Sequence, residues 1–119
     1  MPDPITILRL ETALDHINAI KEYIKPIKRV DDFYSKDGSL IQDAVLMRLQ
    51  ALGENIKTIN KKDPAFLQPL QEEIISIIRF RDLLSHHYDA INLEIVFNIC
   101  TQHIPRLKQQ TEELLNSYK

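Results

Sequence analysis

Residues 79–89 hold two arginines, two adjacent histidines and a tyrosine within eleven positions. A histidine titrates near neutral pH, so it can remove or supply a proton during a reaction. An arginine keeps its charge and presents a planar fork of donors that fits the oxygens of a phosphate group. Together these residue types indicate acid–base chemistry at a phosphate, with the guanidinium stabilising the charge that develops.

Helical spacing places the two arginines of this segment on different faces of the predicted helix. Apolar residues step by four and three at Leu70, Ile74 and Ile77, and the same stripe continues through Arg81 to Leu84. This predicts an amphipathic helix from about residue 70 to residue 84, with Arg81 on its buried stripe. Arg79 lies about 200° from Ile77 and is expected to face solvent. A buried guanidinium needs a partner, and Glu54 is the predicted one; on this pattern alone, a purely structural ion pair explains Arg81 as well as catalysis does.

His86 follows Arg81 by five residues, which on a continuous helix places the two side chains about 140° apart. They can meet only if the helix ends or bends just before His86. We therefore predict Arg81 on the last helical turns and His86 in the turn that follows. Spacing alone leaves the pairs Arg79 with His86 and Arg81 with His87 open, and the buried stripe favours Arg81.

The arrangement of Arg81, four residues, His86, one residue and Tyr88 resembles the R-x4-H-x-Y signature of the HepT family of HEPN-domain toxins. Two further stretches are similar to the family: residues 49–54, a leucine-rich turn ending in Gly-Glu, and residues 92–97 with 104–107, the helix after the motif. The resemblance covers most of the chain. Tyr88, as part of the signature, selects Arg81 and His86 over the looser pairs.

The chemistry that suits Arg81 and His86 is RNA cleavage without a metal, in which the 2′-hydroxyl attacks the adjacent phosphorus. One histidine cannot easily be both base and acid, and a two-fold dimer would bring a second His86 to the same cleft. The resemblance implies a homodimer with composite sites. Glu54 and Asp82 are the predicted supporting residues around Arg81.

The resemblance also implies a fold, a partner and a means of control. The fold is a single HEPN domain over residues 1–119, an all-α bundle of four to five up-and-down helices. The partner is a minimal nucleotidyltransferase antitoxin that silences the ribonuclease by adding AMP to Tyr88. A second function stays open, in which the same domain is a non-catalytic subunit that presents a substrate or nucleotide to a nucleotidyltransferase.

Less specific patterns accompany the motif. His86 and His87 with Asp89 invite a metal site, but adjacent histidines rarely converge on one ion, so we expect no metal. His16 and His103 look isolated and are interpreted as surface or helix-packing residues. A small basic cluster, which is either a solvated face or a contact for RNA phosphates, is formed by Lys25, Lys28 and Arg29.

Composition excludes several classes of protein. The chain has 119 residues, enough for one domain, and a net charge of −2 gives no overall basic field for nucleic acid. A single cysteine, Cys100, excludes an intrachain disulfide and fits a reducing cytoplasm. No apolar run approaches membrane-spanning length, and two glycines leave no glycine-rich phosphate loop. We expect a cytoplasmic protein with an RNA substrate, no cofactor and no membrane contact.

Capping residues and breakers predict the remaining elements. Asp3 and Pro4 start a first helix, which Pro26 ends, and a second runs from about residue 39 to residue 60. Gly53 in its middle predicts a close approach of another helix. The last helix begins after Asn92. The remaining expectations are core anchors at Phe33 and Tyr34, a kink at Pro105, and Tyr118 on the inner face of the last helix.

Overall fold

The computed structural model describes residues 2–118, and within that range the regular structure is entirely helical. The α-helices are α1 (Pro4–Tyr23), α2 (Lys36–Lys62), α3 (Gln71–His86), α4 (Leu93–Asn98) and α5 (Ile104–Asn116). A π-helical segment, Ile99–His103, makes α4 and α5 one interrupted helix, and short 3₁₀ turns lie at Val30–Tyr34, Gln68–Leu70 and Tyr88–Ala90. The predicted all-α bundle is confirmed. In residues 2–118, no helix has the length and hydropathy needed to cross a membrane.

Side-chain caps define where three of the helices begin. Asp3 accepts a hydrogen bond from the Ile5 N–H (2.8 Å) at the start of α1, where Pro4 takes the first helical position. Asn92 accepts from the Glu94 N–H (2.9 Å) at the start of α4. The start of α2 differs from the prediction: Ser35 caps this helix (2.9 Å to the Gly38 N–H), so it begins at Lys36.

The core lies where α2 packs between α1 and α3, with α5 closing the bundle against α1. Its side chains follow the predicted stripes of α1, α2 and α3, and the fully buried ones include Leu10, Ile17, Ile20, Val45, Leu49, Leu52, Ile56, Ile74 and Ile77. Each such leucine or isoleucine contributes roughly 1.5–3 kcal/mol relative to an exposed position. The bundle measures 47 × 27 × 20 Å along its principal axes.

Two aromatic residues lie outside the core, contrary to the sequence prediction. Phe33 is buried as expected, but Tyr34 is 73% exposed because the 3₁₀ turn that buries one ring directs its neighbour outward. Tyr118 is 42% exposed because α5 ends at Asn116; its ring packs instead against Phe66, with centroids 5.4 Å apart. Leu115 occupies the buried position on α5.

The π-helical segment Ile99–His103 stands immediately before Pro105. A proline removes one backbone donor and its ring clashes with the carbonyl four residues earlier, so a regular α-helix cannot continue through it unchanged. A π-helical turn stands ahead of the proline, and the kink predicted at Pro105 stays a prediction.

Candidate active site

Arg81 lies at the point where α3 crosses closest to α2. A Cβ atom built on Gly53 would stand 2.8 Å from the Arg81 Cγ and 3.4 Å from the Ile77 carbonyl oxygen, and it would meet the Arg81 Cβ more closely still. Only a glycine leaves room for the stem of Arg81 at this crossing. The close helix approach predicted from Gly53 is confirmed, and it fixes where the arginine leaves the α3 backbone.

Two carboxylates hold the guanidinium of Arg81, whose side chain is 22% exposed. Its Nη2 pairs with the Glu54 carboxylate of α2, and its Nη1 donates to Asp82 Oδ1 at 3.1 Å. Lys57 Nζ reaches the same Asp82 oxygen at 3.1 Å. The ion pair predicted between Arg81 and Glu54 is therefore present, and Asp82 extends it into a chain of alternating charges across the α2–α3 surface.

The two cations also fix the charge of the central carboxylate. Hydrogen bonds from Lys57 first, and from Arg81 second, hold the pKa of Asp82 below its usual range. Asp82 therefore stays ionised at neutral pH and keeps its hold on Arg81. Because Lys57 and Arg81 face Glu54 and Asp82, the charges balance locally. This contact set fits a structural ion pair as well as an oriented catalytic arginine.

His86 is the last residue of α3, so its predicted place in the following turn is wrong. The His87 N–H donates to the Leu83 carbonyl (2.8 Å), which carries the helix through His86. The exposed His86 thus remains about 140° from Arg81 around the helix. In the described part of the chain, no hydrogen bond joins these two side chains. Tyr88 follows in a 3₁₀ turn and is 57% exposed.

Asp82 connects the two separated residues of the motif. It precedes His86 by four positions, so the two side chains are neighbours on one face of α3. The Arg81 guanidinium folds over to that face to reach Asp82. Arg79 stands on the same face, about 20° from His86 and two helical turns before it. One protomer therefore presents an exposed histidine beside a carboxylate-held arginine, not a closed Arg81–His86 pair.

The residues considered for a metal do not converge. Within residues 2–118, no three His, Cys, Asp or Glu side chains are arranged to hold an ion. His86 and His87 occupy the end and the C-cap of α3, and Asp89 lies in the next turn. The catalytic assignment of Arg81 and His86, and the dependence of cleavage on metal, stay predictions.

The two histidines interpreted as isolated are in fact hydrogen-bonded. His103 Nδ1 lies 2.7 Å from Glu73 Oε2, and Glu73 is only 3% exposed. His16 Nδ1 lies 3.1 Å from the Arg48 Nη1; burial, and then the Arg48 charge, lower the pKa of His16. Sequence reasoning missed Glu73 although the signal was present, because it follows Leu70 by three positions on the buried stripe of α3.

Comparison with known proteins identifies the family of the chain. The model of a family described as “Ribonuclease HepT-like” matches residues 13–114. The chain therefore belongs to the HepT-like ribonuclease family. The family predicted from the motif is confirmed.

Curated relatives agree with this assignment. A protein of Methanocaldococcus jannaschii named “Gamma-glutamylcyclotransferase and putative RNase” is 29% identical over 108 residues, 89% of this chain and 46% of the relative. A “Putative RNase” of Caldanaerobacter subterraneus subsp. tengcongensis is 30% identical over 113 residues, 89% of this chain and 94% of the relative. The chain thus spans about half of the first relative and nearly all of the second. No solved structure matches the chain.

Proposed function

We propose that the chain is the toxin of a two-component toxin–antitoxin system and cleaves RNA in the cytoplasm without a metal ion or cofactor. The observation that supports this most is the geometry of α3 in a HepT-like ribonuclease. This helix carries Arg81, oriented by Glu54 and Asp82, and ends in the exposed His86.

In the proposed reaction, His86 removes the proton from a ribose 2′-hydroxyl, whose oxygen then attacks the adjacent phosphorus. The bond from phosphorus to the 5′-oxygen breaks, and that oxygen takes a proton as it leaves. Arg81 donates to the phosphate oxygens that gain charge in the transition state. The products are a 2′,3′-cyclic phosphate end and a 5′-hydroxyl end.

A homodimer supplies the second histidine that this mechanism needs. In a two-fold arrangement, His86 of one copy acts as base while the same residue of the other copy protonates the leaving oxygen. The exposed face of α3 supports such a contact, because Ile75 on this face is 44% exposed. Ile78 and Leu83 of the same helix pack partly against the core. A second copy would complete a site that a single protomer leaves open.

Control of the toxin is proposed to act on Tyr88. Its ring is 57% exposed, and it lies two residues after His86. A minimal nucleotidyltransferase would catalyse attack of the Tyr88 hydroxyl oxygen on the α-phosphorus of ATP, with pyrophosphate leaving and the phenolic proton passing to a base. The attached AMP would place a phosphate charge at the site where the RNA phosphate must bind.

One observation favours a second candidate function. Two carboxylates already occupy Arg81, which offsets the charge that an RNA phosphate would need. A chain with this arrangement also fits a non-catalytic subunit that presents a substrate or nucleotide to the nucleotidyltransferase. In that case, neither RNA cleavage nor growth arrest would depend on His86.

Expression without the partner separates the two candidates. We expect growth arrest and RNA fragments with cyclic phosphate ends from the wild type, and neither from His86→Ala. Growth arrest that persists in a folded His86→Ala protein would contradict the assignment of the base.

The antitoxin is tested by co-expression with the nucleotidyltransferase, followed by intact mass measurement. Mass increments of AMP on the wild type should vanish in Tyr88→Phe, which should still cleave RNA and escape silencing. Silencing without added mass would contradict control through Tyr88.

A further inference from the structure

A concave surface lies beside the motif, between α3 and the interrupted helix α4–α5. We call it the α3–α4 groove; its volume is about 270 Å³. Its apolar side is formed by Phe80, Leu83, Ile95 and Ile99, and its polar side includes Arg79 and His103. Neither Arg81 nor His86 lines it, so the groove is distinct from the proposed catalytic residues. It combines an apolar floor with cationic and hydrogen-bonding groups at one side.

Arg79 is the arginine of the motif segment whose charge is not offset. In residues 2–118 it takes part in no ion pair, whereas Arg81 has two carboxylate partners. Arg79 is exposed and lines the groove, so its guanidinium is available to an incoming anion. A phosphate oxygen is the group that its fork of donors fits best.

His103 lines the same groove and is held there by a buried carboxylate. Glu73 is buried to all but 3% of its surface, and its Oε2 lies 2.7 Å from His103 Nδ1, with Arg106 at 3.8 Å from its other oxygen. Nδ1 is therefore engaged by Glu73, and Nε2 is the ring nitrogen left for a second hydrogen bond.

The π-helical segment forms part of one wall of the groove and ends in His103. In a regular α-helix, each step of four residues rotates the side chain by about 40°, so His103 would lie about 80° around the helix from Ile95. A π-helix inserts an extra residue into the turn, and Ile95, Ile99 and His103 all line the groove here. Such segments are frequent at functional sites. The interruption therefore shapes this surface as well as accommodating Pro105.

We propose that the α3–α4 groove binds one nucleotide of the RNA strand, with its base against the apolar side chains. Arg79 holds the phosphate of that nucleotide, and His103 Nε2 forms a hydrogen bond with the base. The inference rests on the proposed ribonuclease function. Arg79 and His86 lie on one face of α3, about 10 Å apart along the helix. That distance equals about three nucleotide rises of a stacked strand, so the groove positions RNA a few nucleotides from the cleaved bond.

The test uses a tetranucleotide with 2′-O-methyl groups, which has no 2′-hydroxyl to attack phosphorus and so cannot be cleaved. Its dissociation constant is measured by fluorescence anisotropy on the wild-type protein and on variants that keep the helical circular dichroism spectrum. Arg79→Ala should raise the dissociation constant about tenfold or more and lower the salt slope by about 1. Lys62→Ala, which also removes one exposed positive charge, is the control and should change the dissociation constant less than twofold.

Two further variants test the contacts of the base. Ile95→Trp should fill the groove and weaken binding of the probe. Leu40→Trp, at another exposed apolar position, should leave binding unchanged. His103→Gln keeps a donor for Glu73 and removes the ring that carries Nε2, so it should weaken binding of the probe with little loss of stability. In cleavage of ordinary RNA, Arg79→Ala should raise KM and leave kcat unchanged, because the groove acts on binding.

Several outcomes would overturn the proposal. These are a wild type that does not bind the probe, equal losses in Arg79→Ala and Lys62→Ala, or an Ile95→Trp protein that changes oligomeric state in sedimentation while binding the probe normally. The last result would assign the groove to a second copy of the chain. If the wild type leaves ordinary RNA intact while the groove variants still weaken binding of the probe, the ribonuclease proposal is wrong and the proposal for the groove is retained.

Discussion

Replacement of Gly53 by alanine tests whether the α2–α3 crossing positions Arg81. The added Cβ would lie 2.8 Å from the Arg81 Cγ, closer than such atoms approach in folded proteins, so one helix or the arginine stem must move. An alanine inside a helix gains about 1 kcal/mol over glycine, whereas overpacking costs about 1–3 kcal/mol. We therefore expect a net change in the free energy of unfolding from near zero to about 2 kcal/mol of destabilisation.

The rate of RNA cleavage should fall more strongly than the free energy of unfolding. The displaced stem moves the guanidinium away from Glu54 and Asp82, and a misplacement of about 1 Å can cost a hundredfold in rate. Urea unfolding gives the stability, and single-turnover cleavage of a labelled RNA gives the rate. Gln50→Ala, an exposed change one turn earlier on α2, serves as the control and should leave both unchanged. A Gly53→Ala protein that is about 1 kcal/mol more stable and fully active would refute the close approach.

Three further predictions follow from the motif and its charges. His86→Ala should lower cleavage at least a hundredfold, about 2.7 kcal/mol at the barrier, while His87→Ala changes it much less; the reverse order would assign the chemistry to His87. Cleavage should survive excess EDTA, and loss of activity that a divalent ion restores would favour a metal at the adjacent histidines instead. The lowered pKa of Asp82 means that its stabilising contribution is present above pH 3.8 and is lost as the pH falls through its folded-state pKa. Between pH 6 and pH 2, the melting temperature of Asp82→Asn should therefore fall less than that of the wild type. Equal decreases would show that the ion pairs are not coupled to folding.

The sequence predicted most of the fold because its helices carry strong periodic signals. The stripe through Ile74 and Ile77, the cap at Asp3 and the glycine at the helix crossing each depend on local patterns that tertiary packing preserved. The ion pair of Arg81 with Glu54 was predictable for the same reason, since a buried arginine requires a carboxylate within reach.

The missed features depend on information that spacing does not contain. His86 was expected beyond the helix because a contact with Arg81 was assumed, yet the backbone hydrogen bonds of α3 continue through it. The pair of His103 with Glu73 joins residues thirty positions apart. It also depends on a π-helical turn, for which the chain offers only Pro105 as a local signal. Helix ends and register shifts of this kind are set by tertiary contacts.

The motif begins on the packed part of α3 and ends in the exposed segment 85–90, which has a consequence for its mobility. Arg81 is locked against the α2 crossing, whereas residues 85–90 are all exposed and follow the last buried residue, Leu84. Backbone with few buried neighbours opens at a small fraction of the global unfolding free energy. Amide hydrogens of residues 85–90 should thus exchange early, and those around Arg81 late. A bound RNA, a second copy or a nucleotidyltransferase can then reshape the segment of His86 and Tyr88 while the arginine stays anchored.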